Sequence, residues 1–101
     1  MSLHLKNSNL SDLLNSAIFI NYGSAHNTTV NIPIGYRSAI IVSSNSNYGV
    51  GGIWFAQYIG SSGSIIVDKI VGDDIYNQFS SDDTVLKVSS TASNIIFAAV
   101  F

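Results

Sequence analysis

The sequence predicts an all-β protein, an antiparallel β-sandwich of about eight strands with a jelly-roll-like arrangement, behind a short N-terminal helix or turn. Three observations predict it. Short runs rich in isoleucine, valine and aromatic residues recur at spacings of about 8–12 residues. Clusters of Asn, Ser, Gly and Asp divide them, which is turn chemistry. No helical crossover fits between the runs, as parallel strands would require. At 101 residues the chain is one domain by length.

Residues 1–16 form a lead segment and residues 17–101 the sandwich. Five of the six leucines fall within the first 14 residues, and β-branched and aromatic residues supply nearly all apolar mass thereafter. Leu10, Leu13 and Leu14 stand at helical spacing behind the capping candidates Asn7, Ser8 and Asn9. So short a helix is unstable alone, so its leucines must dock on the domain or on a neighbouring subunit.

The strand candidates follow in order: "AIFINY", "TTVNIPI", "SAIIVSS", "GIWFAQYI", "SIIVDKIV", "DIYNQF", "TVLKVSS" and "NIIFAAVF". Asn21, Gly23 and Asn27 mark the first connection. Pro33, the only proline, belongs at a sheet edge or strand end. "GSSGS" at 60–64 is a tight hairpin by composition. Asp73 with Asp74, and Asp82 with Asp83, punctuate the later turns.

The faces of these strands are unequal. Val30, Ile32 and Ile34 alternate with Thr29, Asn31 and Pro33, as in a strand with one wet face. In "GIWFAQYI", by contrast, Ile53, Phe55 and Ile59 oppose Trp54, Ala56 and Tyr58. In "NIIFAAVF", Ile96, Ala98 and Val100 oppose Ile95, Phe97, Ala99 and Phe101. Each buried large apolar side chain gains roughly 1.5–3 kcal/mol, so leaving five or six wet forgoes on the order of 10 kcal/mol, comparable to a domain's whole stability. The expectation is therefore a homo-oligomer with cyclic symmetry, its contacts drawn from Leu10, Leu13, Leu14, Trp54, Tyr58, Phe97 and Phe101.

Composition removes several function classes. Four Lys or Arg against six acids, all Asp, give a net charge of −2, which offers no basic surface for nucleic acid. The absence of cysteine rules out disulfides and thiolate metal sites. The N-terminal stretch has neither a signal peptide's basic start and apolar run nor a membrane span, so no membrane insertion is expected. Gly49, Gly51 and Gly52 resemble a phosphate loop only loosely, because Trp54 stands where the last glycine belongs and no helix follows. They read instead as a bulge or close backbone approach at a strand start.

No catalytic constellation emerges, and the chain is expected not to be an enzyme. His4 and His26 are the only histidines, and they lie too far apart, without Cys or Glu, to suggest zinc. The Asp73–Asp74 and Asp82–Asp83 pairs are loop carboxylates of the type calcium takes, but they lack EF-hand spacing, and turn roles explain them. Whether any of them binds a cation is left open by the sequence. Asp68 is the one acid predicted mid-strand, so a hydrolase using Asp68 or His26 is the weakest reading. Neither a metal nor a cofactor is expected. Tyr22, Tyr36, Tyr48 and Tyr76 lie among Asn, Ser and Gly, the mixture of amphipathic rings and adaptable polar groups that recognition loops use.

The stretch "IPIGYRSAIIVSSNSNYGVGGIWFAQYIGSSGSIIVDKIV", followed by "IIFAAVF", resembles the C-terminal domains of tail-fibre or receptor-binding proteins of tailed bacteriophages and prophages. The likeness covers residues 17–101 and rests on strand cadence and on Gly35, Tyr36 and Arg37 leading into an apolar strand. It implies homotrimeric β-sandwich heads on a virion that recognise a host-surface saccharide or protein without enzymatic activity. It carries over no ligand residues. A purely structural trimerisation or assembly domain is the alternative.

Overall fold

A computed structural model describes residues 12, 15, 17–45, 50–72 and 76–101. Its strands are β1 (Ile20–Ser24), β2 (Thr29–Pro33), β3 (Ser38–Asn45), β4 (Val50–Ile59), β5 (Ser64–Gly72), β6 (Asn77–Asp82), β7 (Val85–Ser90) and β8 (Ile95–Val100). They form a five-stranded sheet in the order β1-β8-β3-β4-β5 and a three-stranded sheet in the order β2-β7-β6. All the strand pairs are antiparallel. The expected sandwich is thus present. The neighbours β1-β8-β3 and β2-β7 are those of a jelly roll, but β4 stays beside β3 and β6 beside β7, where a jelly roll would exchange them.

Turn chemistry accounts for the connections. At the β4–β5 hairpin, Gly63 has φ 64° and its N–H donates to Ile59 O at 2.9 Å, as "GSSGS" led one to expect. At the β6–β7 turn, Asp83 takes φ 53°, a conformation Asp tolerates better than most side chains. Pro33 ends β2, an edge strand, where its missing N–H costs the ladder nothing.

The core lies between the sheets. Val30, Ile32, Leu86 and Val88 from the small sheet meet Ala39, Ile41, Trp54, Ala56, Ile96 and Ala98 from the large one. Trp54 is only 5 % exposed, and its ring stands 5.1 Å from that of Phe79 across the gap. This corrects two subunit-contact candidates. Trp54 belongs to the chain's own core and Tyr58 packs against it, because in β4 the Trp54, Ala56 and Tyr58 side is the inner one. Phe97 lies half-buried on the outer face and Phe101 remains exposed.

Gly51 and Gly52, just ahead of Trp54, serve packing. A Cβ at Gly52 would stand 2.5 Å from the Trp54 indole, so that ring lies flat against bare backbone. Gly72 pairs with Gly52 at φ 117°, and a Cβ there would run into the Gly51 and Gly52 backbone. Close approach also coincides with a register shift between Ile53 and Trp54 on the β4–β5 pair.

Of the lead segment only Asp12 and Asn15 are described; both have helical backbone and are exposed. Leu10, Leu13, Leu14, His4, Tyr48, Asp73 and Asp74 lie outside the described residues. No helix among the described residues is long and apolar enough to cross a membrane.

Candidate functional site

Antiparallel order brings the β1–β2 and β7–β8 turns to one end of the sandwich, together with the end of β3 and the start of β6. The β1–β2 turn is clamped to the end of β7. Asn27 N–H donates to Ser90 O and Ser90 N–H to Ala25 O, each at 2.9 Å, with Asn27 at φ 52° to close the turn. The β7–β8 turn is fixed in the same way. Its Ala92 N–H donates to Ser90 Oγ at 3.1 Å, and Asn94 O accepts from Ala25 N–H at 2.9 Å. Tyr76, leading into β6, accepts at its carbonyl from Thr91 N–H at 3.4 Å.

Beneath these turns runs a relay of side-chain amides. Asn45 Nδ2 donates to Asn94 Oδ1 at 2.9 Å, and Asn94 Nδ2 donates to Asn77 Oδ1 at 2.8 Å. Asn45 and Asn94 are buried, and the relay crosses from the five-stranded sheet to the three-stranded one. Each such bond nets only about 1 kcal/mol, but leaving a buried amide unpaired costs about 1–3 kcal/mol, so the two bonds favour one mutual arrangement of the three side chains, while Asn77 Nδ2 itself is buried without a hydrogen-bond partner among the described residues.

On this frame His26, Tyr76, Thr91, Ala92 and Ser93 line a hollow of about 290 Å³. A second hollow of about 260 Å³, lined by Asn27, Thr28, Thr29, Gln78 and Ser89 to Thr91, shares Thr91 with the first. The lining is neutral and polar, with two planar amides, several hydroxyls, one imidazole and one exposed phenol ring. Such groups match the donors, acceptors and flat C–H faces of a sugar.

His26 stands between two polar neighbours at this end. Asn27 Nδ2 stands 3.2 Å from His26 Nε2. Ser93 Oγ lies 3.4 Å from His26 Nδ1, and which of the two donates follows the imidazole tautomer. Asp68 sits mid-strand on the outer face of β5, opposite Phe55 in register, away from this end. Asp82 and Asp83 lie at the β6–β7 turn, at the other end of the sandwich. Among the described residues no three His, Cys, Asp or Glu side chains gather as metal ligands.

The tyrosine candidates separate. Tyr76 alone among the described ones lines the hollow, at 39 % exposure. Tyr22 is half-buried and packs against the core. Tyr36, in the β2–β3 turn, stands at the opposite end, edge-on to Tyr58 with centroids 4.9 Å apart. No protein-family model, curated protein or solved structure matches the chain. The sequence offers His26 only as a weak catalytic candidate and Asn27 only as a turn residue, and it does not single out Thr91 or Ser93, because each is an ordinary turn residue.

Proposed function

We propose that this chain is a non-enzymatic receptor-binding head of the tail-fibre kind, acting as a homo-oligomer, with its loop end binding a cell-surface glycan. The observation that carries the reading is the convergence of His26, Tyr76, Thr91 and Ser93 in one polar hollow, continuous at Thr91 with a second. The trimer and the virion setting rest on the sequence resemblance and on the apolar outer face of the five-stranded sheet. That same face favours the second reading, a structural assembly domain whose loops bind nothing.

A glycan array probed with the wild-type chain and with Tyr76→Ala tests the proposal. The expected result is retention of a saccharide whose binding weakens about fivefold without the ring, from the roughly 1 kcal/mol of an aromatic contact. An array without hits, together with a stable trimer in sedimentation, would select the assembly reading. Release of reducing ends from the bound glycan would instead reveal an enzyme.

A further inference from the structure

The strands β5 and β6 end their respective sheets on the same side of the sandwich, and the layers part there. A long 3.5 Å contact from Ile65 N–H to Ser81 Oγ links them. Between them opens a cleft of about 530 Å³, within the roughly 300–1,000 Å³ usual for small-molecule sites. Trp54, Phe79, Ile65 and Val67 give it apolar walls, Lys69 is its charged group, and Ser80, whose side chain faces outward, borders its rim. Gly52 backs the indole, so the tryptophan wall is a fixed surface.

The charge in this cleft is unbalanced. Lys69 pairs with Trp54 in register across β4 and β5, so both side chains share the inner face, whereas Asp68 points to the outer one. Lys69 is exposed and, among the described residues, has no acidic partner. A lone ammonium at the mouth of an aromatic cleft complements a single negative charge on an apolar body. It lacks the several donors a phosphate group would call for, and the planar amides that a sugar would use are at the other site.

We propose that this cleft is a binding site, separate from the loop end, for a small amphiphilic carboxylate whose hydrocarbon or aryl body lies against Trp54 and Phe79 and whose carboxylate meets Lys69. The site supplies its own reporter, because Trp54 is the chain's only tryptophan. Titration of the full chain with octanoate and with 1-octanol, followed by tryptophan emission, tests it in the wild type and in Lys69→Gln. Octanoate should produce a saturable change, weakened about three- to tenfold in Lys69→Gln, while the response to octanol stays the same in both proteins. Because Lys69 is exposed the variant should fold, and an unchanged denaturant midpoint confirms that it has. An emission unmoved by octanoate, or an octanoate affinity equal in the two proteins, overturns the assignment.

Discussion

On the outside of the three-stranded sheet, Thr29, Ser89 and Gln78 make one row and Asn31, Lys87 and Ser80 the next. On the outside of the five-stranded sheet the corresponding rows are Phe97, Val42 and Ile53, then Ala99, Ile40 and Phe55. The first face is built for water and the second is not. Within a single chain, moreover, the centre of the apolar face is already out of solvent: Ile40 is 4 % exposed and Ala99 2 %, although neither belongs to the inter-sheet core. Its margin is different, with Ile66 at 46 % and Val71 at 56 %. On this face, what a neighbouring copy would have to cover is therefore the border along β5 and Phe101, while Ile18 and Ile20 stand exposed at the β1 edge.

The contrast is open to direct attack. Ile40→Asp places an unpaired charge at the covered centre and should cost about 3–5 kcal/mol in denaturant unfolding. A loss below about 1 kcal/mol would mean that the face is wetter than its burial implies. Next in size is Val71→Lys combined with Phe101→Lys, which charges two exposed places on the margin. If the face joins subunits, each substitution should weaken assembly roughly tenfold, shifting the sedimenting mass from trimer towards monomer. A wild-type chain that is monomeric at micromolar concentration removes the oligomer from the proposed function. The smallest effect belongs to the polar face. There Asn31→Asp, matched in its chemistry to the Ile40 variant, should change stability by no more than about 0.5 kcal/mol, and a larger loss would show that this face too is covered.

The same contrast explains what could be read from the sequence. Every predicted strand exists, because β-branched runs between turn residues mark strands wherever the sheets lie. β2 was legible down to its faces, since Val30, Ile32 and Ile34 are buried and their neighbours exposed. The run "DIYNQF" misplaced β6, which begins at Asn77 and carries Phe79 and Ser81 inward with polar residues outward, too few apolar residues for alternation to register. In β4 both sides are apolar, so periodicity does not distinguish the core side from the outer one, and Trp54 and Tyr58 read from the sequence alone as subunit contacts. What decides it is long-range: Gly52 leaves room for the indole, and Phe79 comes from the other sheet. The loop-end hollow was invisible for a similar reason, since His26, Tyr76 and Ser93 meet only once strand order is known, and one sequence does not supply strand order.

The amide relay through Asn45, Asn94 and Asn77 has a bearing on how such a molecule can change. Greasy contacts tolerate a slide of one layer over the other; a string of directional bonds does not, so it acts as a dowel driven through both layers under the loops. Residues above the dowel, His26 and Tyr76 among them, are then at liberty to be exchanged for others, altering what is recognised while the platform beneath keeps its shape.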